Sequence, residues 1–493
     1  MSRSKRLVLL LVAGLLLLSL SSWAGQRQFT ILYTNDTHDF LLPFSYPDPI
    51  NPKIQYASMP VIKNIGGIAR RATLARQIKN EVGGNALFVD GGDIMEGQAF
   101  GVIYNGAADF DAMNAAGYDA MVLGNHDFQC SLEQFYRNVW TPRFDILCAN
   151  LLDVKTHKMI LPPYRIFDVN GLKVGLVGVT AVIAKDCKAA KGNMDLLDPY
   201  ETAGRFVPIV RRKADLVVVL SHLGNGEDGK LAREVPGIDI IVGAHSHTRL
   251  PEPQVINGVI ILQDYEKGGE LGRLDLQLDN ESGSYKIIGQ SNKLIPVTRD
   301  IPEDKATAKV VSKYYDPIAR EYGRTIGEAT ATFYDDRDRE STVSNLVCDA
   351  IREKAKTPIA FYGYAGARAD LLAGPIKGWD IATMLPFKNK IVIMDVPGSK
   401  LKWLINELDY KPVVSGMRYH TVKKKLVEAN LLDGTPIEDN VIYQVASIDW
   451  LQGLYFKDIH FRTLNVTSYK AVVDYIKTRK TISPVADGRK KIE

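Results

Sequence analysis

Five short segments in the first half of the chain each follow a run of β-forming residues and carry polar, metal-compatible side chains. They are Asp36-Thr37-His38 after Phe29–Tyr33, Gly91-Gly92-Asp93 after Ala86–Val89, and Gly124-Asn125-His126-Asp127 after Ala120–Leu123. Ser221-His222 follows Leu216–Leu220, and Gly243-Ala244-His245-Ser246-His247 follows Ile238–Val242. The chain has eight histidines and five lie in these segments, a concentration that core histidines would not produce. In an open α/β sheet, ligands collect outside the carboxyl ends of the strands. The pattern therefore predicts five strands delivering carboxylate, imidazole and amide groups to one edge.

From Gln28 to about Asp279 strand and helix signals alternate. Helices are predicted near Gly67–Val82, Ala107–Ala116 and Ser131–Asn138, and a further strand over Asp145–Ala149. Tyr164–Val169 and Lys173–Val179 are split by Asn170-Gly171, a hairpin turn signal. Leu271–Leu278, with Asn280–Ser284 as a turn, reads as an antiparallel pair closing this unit. The alternation predicts α/β architecture, sheets covered by helices. Val310, Val311, Tyr314, Ile318 and Tyr322 have helical spacing in a charged stretch, so residues 300–325 read as a linker helix and a place for a hinge. A second, α+β unit follows. It has helices at Ser344–Lys354 and near Ser399–Leu408, and strands at Ile359–Tyr362, Ile391–Val396 and Val441–Ala446. The expected division is a leader over 1–24, a first domain over 25–299, the linker helix, and a second domain over 326–493.

With 493 residues, 46% of them hydrophobic, the chain can build two or three cores. Its net charge is +4, and Arg3, Lys5 and Arg6 of the leader supply three of those charges. The remainder is near neutral, which speaks against a nucleic-acid polymer or a membrane surface as partner. Pairs such as Arg70-Arg71 and Arg211-Arg212 read as solvated helix faces. The apolar run Leu7–Leu20 followed by Ser22-Trp23-Ala24 has the layout of a secretory signal, and it falls short of the roughly 20 residues that span a bilayer. The expectation is a secreted protein without stable membrane insertion, periplasmic in a Gram-negative source. An oxidising compartment permits disulfides, but Cys130, Cys148, Cys187 and Cys348 leave the pairing open. Cys348 reads as a small buried apolar residue.

Hard divalent cations favour carboxylate, imidazole and amide oxygen donors. Two of them roughly 4 Å apart can clamp the attacking and leaving oxygens of an in-line displacement. Asp93, on a Gly-Gly turn, is the candidate to touch both. Asp36 and His38 are two residues apart, as are His245 and His247, so each pair can point the same way. One ion then takes Asp36, His38, Asp93 and His247, and the other takes Asp93, Asn125, His222 and His245. A water or hydroxide between the ions would be the nucleophile. His126 is left to stabilise charge on the phosphoryl group or the leaving oxygen. The ions are zinc, manganese or similar, and the sequence does not choose among them.

These segments resemble the calcineurin-like metallophosphoesterases. With the second unit, the chain resembles the secreted two-domain 5'-nucleotidases, a group that includes bacterial UDP-sugar hydrolases. Ile31-Leu32-Tyr33-Thr34-Asn35-Asp36-Thr37-His38 matches the family's opening. Ser344-Asn345-Leu346-Val347-Cys348-Asp349-Ala350, Gly366-Ala367-Arg368 and Leu385-Pro386-Phe387-Lys388-Asn389 match segments of its second domain. The resemblance implies a four-layer α/β/β/α metallophosphoesterase domain followed by an α+β substrate-binding domain. It also implies that Arg339 and Arg368 hold phosphate, that Phe387 and Trp450 stack on a base, and that the second domain rotates to deliver substrate. The chain departs from the family pattern at Gly363, where an Asn is usual, at Gln452-Gly453-Leu454-Tyr455-Phe456, where a Gly-Gly-Asp-Gly segment is missing, and at Gln129, where an Asp often follows the catalytic His.

The leading expectation is a two-metal phosphoester hydrolase acting on a small phosphoester, a nucleotide first among them. The alternatives are the same chemistry on a cyclic nucleotide, a nucleotide sugar or a thiosulfate ester, or a secreted binding protein without turnover.

Overall fold

The computed structural model describes residues 26–47, 61–280, 284–335, 340–363, 366–387, 389–408 and 411–493. The leader and Arg339 lie outside the described residues. The chain divides into two compact units. The first comprises the N-terminal stretch to Tyr46, Lys63–Met95 and Asn105–Ser312. The second comprises the described residues of Lys313–Glu493 with Glu96–Tyr104.

Strands β1 (Gln26–Thr34), β2 (Ala86–Asp90), β3 (Ala120–Val122) and β4 (Asp145–Leu147) run parallel in one sheet of the first unit. Helices α1 (Ile68–Glu81), α2 (Ala107–Ala116) and α3 (Leu132–Trp140) connect them. The second sheet holds β5 (Tyr164–Val169), β6 (Leu172–Thr180), β7 (Leu216–His222), β8 (Ile240–Val242), β9 (Gln254–Ile256) and β10 (Val259–Leu262). Helices α4 (Pro199–Arg211) and α5 (Asn225–Glu234) lie on either side of β7 in sequence. The strand order is β9-β10-β8-β7-β6-β5. β11 (Glu270–Asp279) pairs antiparallel with β1 and with β12 (Lys286–Pro296), extending the first sheet to β12-β11-β1-β2-β3-β4. The closing antiparallel pair expected from Leu271–Leu278 is therefore present.

Alternation in β7 shows the layering. Leu216, Val218 and Leu220 pack with Ile31, Val89 and Val122 of the other sheet. Val217 and Val219 pack with Phe206, Val207 and Val210 of α4 and Leu231 of α5. A strand buried on both faces needs this continuous Val/Leu run. The layers are helix, sheet, sheet, helix, as expected. The two sheets close on each other at Gly178, where a Cβ would sit 2.4 Å from the Leu147 carbonyl oxygen.

Local signals set the ends of these elements. Asn170 and Gly171 both have positive φ in the β5–β6 turn, the geometry of a type I′ hairpin. Asp198 caps α4 by accepting from the N–H groups of Tyr200 and Glu201, with Pro199 opening the helix. Ser131 caps α3. The Arg70-Arg71 pair corrects the expectation of a solvated face. Arg70 is 7% and Arg71 1% exposed. Arg70 donates to Asn64, and the Arg71 guanidinium fills the space beside Gly268. Arg211 is likewise engaged, with Gly237, Asp215 and Asp239, while Arg212 is exposed.

The residues between the two sheet-bearing parts of the chain form helix α6 (Lys305–Tyr322). The second unit contains β13 (Thr325–Ala329), α7 (Thr342–Ala355), β14 (Ile359–Tyr362), β15 (Lys390–Pro397), α8 (Gly398–Glu407), β16 (Val413–Ser415), β17 (Ile442–Ile448), α9 (Asp449–Tyr455), β18 (Phe461–Thr467) and α10 (Ser468–Arg479). Its main sheet has the order β16-β14-β17-β15-β18. α7 buries Val347, Cys348 and Ile351 against it. Glu96–Tyr104, which the sequence places inside the first domain, groups with this unit. Phe100 is fully buried, its ring edge-on to Trp379 at 5.1 Å.

Candidate metal centre

The C-terminal ends of β1, β2, β3, β7 and β8 lead into all five polar segments. Two donor groups converge there: Asp36 with His38 and His247, and Asp93 with His222 and His245. Within each group the donor atoms lie within 4.8 Å of one another. Asp36, His38, Asp93, His245 and His247 all adopt positive φ. That conformation is uncommon for residues other than glycine and tends to persist at functional sites. Repeated at positions 36 and 38, and at 245 and 247, it turns each pair to one side. Ser221 and His222 sit inside β7, not in a loop after it, because His222 stays in register with Thr180.

Three of the imidazoles are fixed through one nitrogen, leaving the other aimed inward. His38 Nδ1 lies 2.8 Å from the Met95 carbonyl oxygen, and His222 Nδ1 lies 2.8 Å from that of Gly91. His247 Nδ1 meets Glu266 Oε2 at 2.5 Å. A ring nitrogen that donates outward leaves its partner as a lone-pair donor. The inward atoms then face one another: His38 Nε2 and His247 Nε2 are 3.3 Å apart. His222 Nε2 is 3.0 Å from Asp93 Oδ2, yet makes no aligned hydrogen bond. Asn125 Oδ1 is buried and also without a hydrogen-bond partner. Facing lone pairs and an orphaned amide oxygen fit divalent cations held by mixed nitrogen and oxygen ligands.

Backbone and carboxylate contacts hold this geometry. Asp36 accepts from the His245 N–H at 2.9 Å and from Asn35 Nδ2 at 2.7 Å. Asp93 Oδ1 accepts from the His126 N–H at 2.7 Å. The His126 ring stands edge-on to His38, centroids 5.1 Å apart. A Cβ at Gly124 would fall 2.1 Å from Asp93 Oδ1, so only glycine fits between the two loops. Gln129, where the family often has Asp, directs its amide to Cys187 Sγ and its carbonyl to the Lys188 N–H, each at 3.5 Å.

Three supporting carboxylates escaped the sequence reading. Asp127 Oδ2 accepts from the N–H groups of Asp93 (3.0 Å) and Gly124 (2.8 Å), and its Oδ1 from Ile94 (2.9 Å). Asp127 thus locks the β2 and β3 loops together. Asp90 does the same within β1 and β2, bonding Thr34 and the Gly92 N–H. Glu266 lies in the loop after β10, whose parallel pairing with β8 brings its C-terminal end to the same edge. An acidic residue after one more strand of that sheet was the available signal.

Electrostatics follow from burial. It pushes Asp127 and Asp90 up to about 7 and Asp228, hydrogen-bonded to Ser221, up to about 8. Burial also opposes a charge on His222, but the adjacent Asp93 carboxylate outweighs it and raises the imidazole to about 10. Asp93 in turn is held well below the usual carboxylate range, the neighbouring histidines overcoming its burial. Burial and the charged His222 push His245 down to about 4.

In the second unit, Phe387 and Trp450 reach one edge of the main sheet. Ile391 of β15 pairs with Ile448 of β17, so the start of one strand and the end of the other coincide. Gly363 and Arg368 follow β14, which runs parallel to β17 and ends at the same side. Trp450 is 50% exposed; Phe387 and Arg368 are half-buried. A Cβ at Gly363 would press on Leu451, 3.1 Å away, beside Trp450.

Fold and donor groups together define a two-domain metallophosphoesterase. The calcineurin-like phosphoesterase family matches residues 29–249, and the 5'-nucleotidase C-terminal domain matches residues 322–455. The chain belongs to the 5'-nucleotidase family. The 5'-nucleotidase of Vibrio cholerae is 27% identical over 461 residues, covering 82% of this chain and 80% of that protein. Protein UshA of Yersinia enterocolitica is 26% identical over 501 residues, covering 87% and 86%. The crystal structure of a 5'-nucleotidase precursor from Thermus thermophilus superposes with a TM-score of 0.83 at 27% identity, over 94% of this chain and 99% of that one. The fold is also that of a sulfate thiohydrolase, SoxB, from the same species (TM-score 0.79, 19% identity, 94% and 96% covered). No described helix is long and apolar enough to cross a membrane.

Proposed function

We propose that the protein hydrolyses a phosphate ester of a nucleoside, releasing phosphate, and that Asp36, His38, Asp93, Asn125, His222, His245 and His247 hold two divalent ions for that purpose. The observation that carries this reading is the convergence of two donor groups, each with its ligand atoms within 4.8 Å of one another, beside the partnerless His222 Nε2 and Asn125 Oδ1. Two such ions would supply Lewis-acid polarisation of the phosphoryl oxygens and a water of lowered pKa. Asp93 is the carboxylate that would touch both ions. His126, tied through its N–H to Asp93 and standing beside His38, is the catalytic residue that donates to the phosphoryl or leaving oxygen. Asn125 adds an oxygen without adding negative charge.

In the second domain, residues 326–493 in this reading, Arg368 and Arg339 pair with phosphate oxygens through their guanidinium forks. Phe387 and Trp450 sandwich the base, supported by their arrival at one sheet edge. The signal-like leader over residues 1–24 supports export, to the periplasm if the source is Gram-negative.

The test is hydrolysis by chelated and then manganese- or zinc-reloaded protein. The panel is AMP, other nucleoside monophosphates, a 2',3'-cyclic nucleotide, UDP-glucose and an aryl phosphate. Phosphate release from AMP at least tenfold faster than from the aryl phosphate, abolished in Asp93→Asn, is expected. Equal rates on both would remove the nucleotide reading, and metal binding of less than one ion per chain would remove the catalytic one.

A further inference from the structure

Cys130 and Cys187 lie on segments that run alongside each other. The Phe128 carbonyl accepts the Ala189 N–H at 2.8 Å. One residue on, the Gln129 side chain meets Lys188 N and Cys187 Sγ. As one segment advances from 128 to 129, its partner falls from 189 to 188 and 187. The segments thus approach in opposite senses, which brings Cys130 into the neighbourhood of Cys187. The Gln129 side chain, next in sequence to Cys130, reaches Cys187 Sγ at 3.5 Å, so the two cysteines stand close to one another, and a disulfide between them needs Cα atoms roughly 4.4–6.8 Å apart. Both cysteines are buried thiols. The other two thiols are engaged elsewhere. Cys148 Sγ lies 3.3 Å from Thr180 Oγ1, and Cys348 Sγ points at the carbonyls of Ala360 and Val413 in the other unit.

We propose that Cys130 and Cys187 form a disulfide when the chain folds in the presence of a disulfide oxidant, either a protein disulfide or glutathione disulfide. One thiolate attacks the oxidant's disulfide and releases one of its sulfurs as a thiol. The second thiolate then attacks the resulting mixed disulfide and releases the other. Two S–H bonds are lost, one S–S bond forms, and the oxidant leaves as two thiols. Cys130 stands between the turn His126–Phe128 and Ser131, the cap of α3, while Cys187 ends the turn Val182–Asp186 after β6. The crosslink is thus a strut from the loop carrying Asn125 and His126 to the loop of the opposite sheet.

The full-length protein refolded with glutathione disulfide tests this. In denaturant, two thiols should react before reductant and four after it. A non-reducing peptide map should contain the Cys130–Cys187 crosslink, and the double variant Cys148→Ser, Cys348→Ser should retain it. Reduction of the native bridge should lower Tm by about 5–10 °C. Four reactive thiols in the oxidised wild type, or a bridge through Cys148 or Cys348, overturns the proposal. Because these counts use wild type, they decide it even where Cys130→Ser fails to fold.

Discussion

His38 and His247 face each other through Nε2 atoms 3.3 Å apart, while their Nδ1 atoms are taken by the Met95 carbonyl and the Glu266 carboxylate. With both Nδ1 atoms donating outward, a proton or a metal cation between the two Nε2 atoms relieves the repulsion of their lone pairs. Glu266 is what keeps His247 in this orientation. Burial opposes its charge, but Lys267 and His247 hold its carboxyl well below the usual range. Glu266→Gln removes the charge and keeps the shape. The expected result is about a 10- to 100-fold loss of manganese affinity at one of two sites, since outer partners of metal-bound histidines typically contribute that much. Isothermal titration of the chelated protein measures it; unchanged affinity at both sites would deny Glu266 this role.

The buried titratable groups predict an unusual pH dependence for the chelated protein. Asp90, Asp127 and Asp228 are raised, so the folded state binds more protons than the unfolded state between about pH 4 and pH 7–8. Their contribution to stability is lost as pH rises through that window. His222, raised to about 10, acts in the same direction from about 6.5 upward. His245, lowered to about 4, opposes them below 6.5. Divalent ions held by the proposed ligands would neutralise the carboxylates and displace the His222 proton, so their affinity would grow with pH. The Tm difference between metal-loaded and chelated protein should therefore widen from pH 5 to pH 8. A constant or narrowing difference in a thermal melt series contradicts the assignment.

Gly124 offers a steric test. Its missing Cβ leaves room for Asp93, whose Oδ1 would be 2.1 Å and whose N 2.4 Å from it. Gly124→Ala must push the β2 and β3 loops apart and strain the contacts of Asp127. Overpacking of this kind costs about 1–3 kcal/mol in stability, read from a denaturant midpoint. Because Asp93 belongs to the second donor group and stands beside the first, bound metal counted by elemental analysis should fall from two per chain to one or none. A variant that holds two ions and keeps wild-type turnover would show that the loops need no such closeness.

The legible part of this molecule was the part written in short-range patterns. β-forming runs ending in segments that carry carboxylate or imidazole side chains pointed to β1, β2, β3, β7 and β8, whose carboxyl ends bring the donor groups together. What stayed hidden depends on long-range geometry. Asp127 was quoted as part of a motif, yet its three backbone acceptances need the β2 loop delivered by tertiary packing. Glu266 acts on a histidine nineteen positions upstream only because β10 lies next to β8. Arg70 and Arg71 read as surface charge because nothing local announces a buried guanidinium. The positive φ of Asp36, His38, Asp93, His245 and His247 was invisible for the same reason: Asp and His tolerate that region more often than other side chains, but no glycine marks these positions in the sequence.

Trp450 separates recognition from catalysis. It sits at the start of α9, 50% exposed, beyond the end of β17. Little packing is lost when a half-exposed ring is removed here, so Trp450→Ala should shift stability by less than about 0.5 kcal/mol. Stacking on a nucleobase contributes about 1–3 kcal/mol. The variant should then raise KM for AMP by roughly 5- to 150-fold with kcat held within about threefold, since the ring is used equally in ground and transition states. An aryl phosphate too small to reach the ring should be hydrolysed at an unchanged kcat/KM. Trp450→Phe should recover most of the AMP affinity. Equal losses on both substrates would mean that Trp450 supports the fold of the second unit and takes no part in reading the base.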